Sequence, residues 1–156
     1  MRSRTSIWFI CKIAYEKVME DGLQKKVKES YVVDALSFTE AEQRIMEEMS
    51  SYISGEFTVE DISKAPFKEI FFSDEDLADY WYKAKLQFIT IDEKTEKEKR
   101  SNVTYLVNAH TLNGAIKNID EVMHGTMIDY SSIAVQETPI FDVFEYARKD
   151  KEETED

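Results

Sequence analysis

The 156-residue sequence contains one cysteine, two prolines, four glycines and two histidines. A single thiol, Cys11, excludes an intramolecular disulfide and a cysteine-rich zinc site, and it suits a reducing compartment such as the cytoplasm. So little glycine and proline leaves few tight turns. No apolar run approaches the roughly 20 residues of a membrane-spanning helix, which argues against a membrane partner. The stretch from Ile7 to Ile13 contains Lys12 and leads into no small-residue cleavage site, so it reads as a strand and not as a signal peptide. Basic charge is also scarce. Twenty Lys and Arg face 32 Asp and Glu, a net charge of −12, which excludes a generally basic nucleic-acid coat and leaves only a local patch.

Chemistry-bearing motifs are missing too. There is no glycine-rich phosphate loop, no His-Glu-x-x-His, no Gly-x-Ser-x-Gly and no Cys-x-x-Cys. The carboxylates fall mostly in loops, on solvated helix faces or in the C-terminal tail, without the spacing of a calcium loop. The expectation is a protein that is not an enzyme, with no catalytic residue, no metal and no cofactor.

What is present is a globular composition, 42% hydrophobic and 12% aromatic, in a length that suits one domain or two small ones. It is organised as one unit written twice. Trp8, Lys12, Tyr15 and Val18 recur as Trp81, Lys85, Phe88 and Ile91, 73 positions on. Tyr31–Ala35 recurs as Tyr105–Ala109 at an offset of 74, as do Ala41, Ile45 and Met49 as Ala115, Ile119 and Met123. Phe57, Ile62, Pro66 and Phe71 return at 73 as Tyr130, Val135, Pro139 and Phe144. The one-residue changes fall at loops, where chains tolerate them.

Each copy reads strand, strand, helix, strand. Trp8–Val18 and Trp81–Ile91 alternate with period two, and Lys26–Leu36 and Arg100–His110 form their hairpin partners. Ser37-Phe38-Thr39-Glu40 is a capping box, and Phe38, Ala41, Ile45, Met49 and Tyr52 make a helical stripe that Gly55 stops. The second helix opens at Thr111, carries Leu112, Ala115, Ile116, Ile119 and Met123, and ends at Gly125. Extended segments Glu56–Lys64 and Met127–Gln136 follow. Pro66 and Pro139 then mark an edge, a bulge or a break between two strands, since proline donates nothing to a ladder. The expected fold is α+β: an internal duplication of a ββαβ unit about a pseudo-twofold axis, largely antiparallel, with one helix per half on one face. The organisation is residues 1–72, an acidic connector or short surface helix at 73–80, residues 81–148, and a disordered acidic tail at 149–156.

Alternation puts Phe9, Cys11, Ile13 and Tyr15 on the helix side and Trp8, Ile10, Lys12 and Ala14 on the other. The copy places Trp81, Lys83, Lys85 and Gln87 on its helix-free side, and Lys26, Lys28 and Arg100 point the same way from the second strands. A duplicated face carrying Trp8, Lys12, Lys26, Lys28, Trp81, Lys83, Lys85 and Arg100 suits single-stranded nucleic acid, with bases stacked on tryptophan and lysines tracking phosphates. The bland reading of the same residues is a pair of tryptophans capping the core and lysines that discourage edge pairing. A second functional reading is a protein–protein adaptor or homo-oligomer that uses those faces, or the strand edges near Pro66 and Pro139. Tryptophan burial separates the two.

Other residues take structural roles. Cys11 points inward and behaves as a small hydrophobe. His124 complements a helix C-terminus. Asp34 and Asn108 order the strand-to-helix junctions through backbone hydrogen bonds. Met49 and Met123 fill cores.

The runs Tyr31-Val-Val-Asp-Ala-Leu-Ser-Phe-Thr-Glu-Ala-Glu, Tyr80-Trp-Tyr-Lys-Ala-Lys-Leu and Asp142-Val-Phe-Glu resemble an uncharacterised domain-of-unknown-function family of small acidic proteins. That family occurs in gut-anaerobe bacteria and in their phages and mobile elements. The resemblance runs from Trp8 to Glu145. It implies a bacterial, cytoplasmic setting and brings no catalytic residue with it.

Overall fold

The computed structural model describes residues 1–146; the tail expected to be disordered, 149–156, lies outside them. The fold is α+β, with two helices and two mostly antiparallel sheets. Its strands are β1 (Arg2–Arg4), β2 (Trp8–Val18), β3 (Gln24–Asp34), β4 (Phe57–Lys64), β5 (Glu69–Phe72), β6 (Tyr80–Ile91), β7 (Glu98–Ala109), β8 (Tyr130–Glu137) and β9 (Ile140–Phe144). Helix α1 spans Phe38–Tyr52 and α2 spans Leu112–His124.

The β2–β3 and β6–β7 hairpins are the regular ladders the alternation predicts, each with a further antiparallel strand, β4 on β2 and β8 on β6. Even the irregularities match. A register shift lies between Lys12 and Ile13 against β4, and another between Lys85 and Leu86 against β8, 73 positions on. The two prolines are breaks between strands. Before each one, the chain is fastened to a tryptophan carbonyl: Ala65 N–H donates to Trp8 O at 2.8 Å, and Thr138 N–H to Trp81 O at 2.9 Å.

Past the prolines, each chain half sends its last strand to the other hairpin. β5 lies parallel to β7, and β9 lies parallel to β3. The two compact units are therefore interleaved in sequence and not contiguous halves. The β2 unit holds residues from Ser6 to Ala65 and, of the described residues, 139–146, in strand order β4-β2-β3-β9. The β6 unit holds Met1–Thr5 and Pro66–Thr138, in order β1-β5-β7-β6-β8. Four strands follow one topology in both. The fifth, β1, pairs antiparallel with β5 and has no counterpart beside β9 among the described residues.

Each helix covers one face of its own sheet. In the β2 unit Ala41, Ile45 and Met49 of α1 pack on Phe9, Cys11, Ile13 and Val33. In the β6 unit Ile119 and Met123 of α2 pack on Leu86, Tyr105 and Val107. Burying each large side chain contributes about 1.5–3 kcal/mol. The caps form as the sequence implies, with one variation. Ser37 Oγ accepts the Glu40 N–H at 3.1 Å, but Glu40 reaches back to the N–H of Leu36, one residue before the cap. Thr111 Oγ accepts the Gly114 N–H at 3.0 Å. Gly55 takes φ +116°, a value that favours glycine. Gly125 stays right-handed at φ −70°, and Met127 takes the positive φ instead. The 73–80 connector forms no helix; it runs as bends and turns to Tyr80, where β6 begins.

Candidate functional site

The eight residues of the expected sheet face separate by burial. Trp8 is 1% exposed and Trp81 is 5% exposed. Trp81 meets the Phe72 ring edge-on at 5.5 Å between centroids. Both backbone carbonyls anchor the turn before a proline, so the two residues hold the points where the chain leaves one sheet. Neither ring offers a free face to a base.

The cations nearby are largely answered by acids. Lys26 and Lys28 both reach Glu60 on β4, at 3.9 and 3.2 Å. Lys12 is exposed, with Asp61 opposite it in the ladder. Lys85 is exposed and Lys83 half-buried. Arg100 reaches Glu98 at 3.4 Å and donates to Gln87 at 3.3 Å. Exposed pairs of this kind are worth about 0–1 kcal/mol.

Asp34 and Asn108, matched in sequence, do fasten backbone, but of distant segments. Buried Asp34 accepts the Tyr146 N–H at 2.6 Å and sits 3.6 Å from the Arg44 guanidinium. Asn108 donates to the carbonyls of Ala78 and Tyr80 at 2.8 and 3.0 Å. His110 Nδ1 lies 3.2 Å from Asp79. Cys11 is fully buried, and burial with the nearby Asp61 charge pushes its thiol up to about 12. Among the described residues no three His, Cys, Asp or Glu side chains are placed to hold a metal, and no helix is long and apolar enough to cross a membrane.

The partly exposed aromatic surface lies elsewhere, along β9 of the β2 unit. Phe141 stands 5.9 Å from Tyr31, Tyr31 stacks 5.6 Å from Phe144, and Phe144 stacks 6.4 Å from Tyr52. The outer members are open to solvent, Phe141 at 58% and Tyr52 at 70%. Acids accompany the row. Asp142 is exposed at the edge and its oxygen accepts the Val143 N–H at 2.8 Å. Crowding by neighbouring atoms and the Glu48 charge still raise its carboxyl, against the pull of that hydrogen bond.

Glu29, on the helix side of β3, is 8% exposed, and its Oε1 has no hydrogen-bond partner among the described residues. Burial, then the hydrogen bond and charge of Glu29, push the Tyr15 hydroxyl up to about 12. Burial and the Glu29 charge raise Tyr31 further. A buried polar oxygen left unpaired costs about 1–3 kcal/mol, so its retention asks for a reason.

The other unit shows that the fold has no need of it. Tyr15, Glu29 and Tyr31 correspond by offset to Phe88, Val103 and Tyr105, an apolar version of the same patch. Sequence reasoning missed this patch because it examined matched positions; the Glu29/Val103 mismatch inside an otherwise apolar repeat was the available signal.

No curated protein and no solved structure matches the chain. Residues 7–146 do match a family model described as a domain of unknown function, DUF4494. With that match covering nearly all of the residues whose fold is described above, the chain belongs to the DUF4494 family.

Proposed function

We propose that the chain is a non-catalytic protein-interaction module, an adaptor or self-associating domain that works through a strand edge. One observation carries this reading: both tryptophans are buried, while the solvent-open aromatic row lies along β9, the strand that follows Pro139. Aromatic side chains at a sheet edge supply large contact area at low entropic cost, and an unpaired edge supplies backbone hydrogen bonds. The setting proposed is the bacterial cytoplasm, in gut anaerobes and their phages and mobile elements. The free thiol of Cys11 supports a reducing compartment.

Single-stranded nucleic acid is the competing ligand, supported by exposed Lys12 and Lys85. Tryptophan emission on titration with a single-stranded oligonucleotide at low and high salt separates the two readings. The interaction module predicts unchanged blue-shifted emission in both. Saturable quenching that weakens with a log–log salt slope of about −0.7 per neutralised phosphate would overturn it.

A further inference from the structure

The two units carry nearly the same strands, so each serves as the other's control. In the β6 unit the outer edge of β5 is occupied. β1 lies antiparallel along it, with Arg2 opposite Phe72, Ser3 opposite Phe71 and Arg4 opposite Ile70. The Arg2 guanidinium rests 3.9 Å above the centre of the Phe72 ring. A second cation comes from the strand's own lead-in: Lys68 Nζ stands 5.7 Å above Phe88, beside Tyr105. This unit provides its own edge strand and its own cations, each placed for cation–π attraction.

The β2 unit has the matching edge, with the Arg44 guanidinium 5.0 Å over the Tyr146 ring just past β9. No strand lies beside β9 among the described residues. By the offset of 73, Lys68 becomes Phe141 and Phe72 becomes Glu145. Acids stand where cations would be met. Glu29 replaces Val103 next to Tyr15, the counterpart of Phe88, and Asp142, which matches Glu69 of β5, stands exposed on the strand. Asp142 lies opposite Tyr31 in the β3–β9 ladder, so it shares the helix side of the sheet with Glu29 and the aromatic row.

We infer that the β9 edge is a docking site for an extended, basic segment of another protein, added antiparallel as β1 is added to β5. This rests on the interaction-module reading and names its site and partner chemistry. The antiparallel sense of β1 on β5, carried over, sets the direction. An arginine or lysine of the segment lies opposite Asp142 on the helix side. That cation is directed over the Phe141–Tyr31 rings toward Oε1 of Glu29. Main-chain hydrogen bonds along β9 hold the segment, and the alternate side chains select it. An acidic segment, by contrast, meets Asp142 and Glu29 with like charge.

The test is a nitrogen-15 correlation spectrum of the full chain, titrated with an acetylated, amidated peptide Arg-Ser-Arg-Lys-Val. The expected result is saturable shifts concentrated on amides 140–146 and on Tyr31, with β5 amides unmoved. Asp142→Lys, an exposed substitution, should weaken binding about tenfold or more, the scale of a charge reversal at a contact. Glu29→Val installs the residue that the other unit already carries, so it should fold normally and still lose affinity. Saturable shifts on β4 or β8 instead would overturn this site while leaving an interaction module. Edge amides unmoved in a protein that sediments as a dimer would give the edge to a second copy and overturn the external partner. No shift anywhere at millimolar peptide would overturn both the site and the reading on which it rests.

Discussion

At the scale of single residues, the sharpest contrast is between groups that are buried and paired and groups that are buried and idle. Glu29 accepts a hydrogen bond from the Tyr15 hydroxyl, but its Oε1 has no partner among the described residues, and neither has the indole Nε1 of Trp8. Replacing an unpaired buried polar group with a fitting apolar one relieves its desolvation cost, and Val103 shows that valine suits the equivalent place. Glu29→Val should therefore raise stability by about 1–3 kcal/mol, read as a higher urea midpoint at unchanged slope. A lower midpoint would mean that Glu29 is structural. Trp8 and Trp81 act through bulk instead. Each fills a buried site and fastens a turn through its carbonyl, so alanine at either should cost about 3–5 kcal/mol in the same measurement. Cys11 is fully buried with its thiol pushed up to about 12, so a disulfide reagent should titrate no thiol at pH 8 until denaturant is added.

At the scale of elements, local rules carried far and then stopped. Period-two alternation, the Ser37 and Thr111 caps and the helical stripes are encoded within a few residues of where they act, and the hairpins and helices formed as read. The exchange of β5 and β9 was not legible. Both are short apolar runs after a proline, and nothing within Phe67–Phe72 says which of two similar hairpins it will join. That choice is made by packing between segments far apart in sequence, such as Tyr31 against Phe144 or Phe71 against Tyr105. The three-residue β1 was invisible for the same reason; Arg-Ser-Arg has no strand pattern and becomes one by pairing with β5. The β9 site is drawn from β3, α1 and β9, and so carries no local motif. Cap strength is testable directly: Ser37→Ala should cost about 1 kcal/mol, since it orphans the Glu40 N–H.

At the scale of the whole molecule, a net charge of −12 sets what approaches it and under which conditions it holds together. Folding raises the hydroxyls of Tyr15 and Tyr130 to about 12, the first mainly by burial and the second mainly by its hydrogen bond to Asp120. Their ordinary value is near 10, so below pH 10 both states keep the proton and the stabilisation is complete. Between pH 10 and 12 the unfolded chain releases protons that the folded one retains, so stability falls as pH rises. Urea midpoints should decline across that interval, and absorbance at 295 nm should show a tyrosine fraction ionising only near the top of it. A flat midpoint would remove these hydroxyls from the account.

The same acidic surface repels phosphate and attracts basic protein segments. The most direct measurement is fluorescence anisotropy on one protein sample at low salt, read in parallel with a labelled Arg-Ser-Arg-Lys-Val peptide and a labelled single-stranded oligonucleotide. The account predicts a saturable rise for the peptide, lost in Asp142→Lys, and a flat line for the oligonucleotide. Saturation by the oligonucleotide with a flat peptide signal would contradict it.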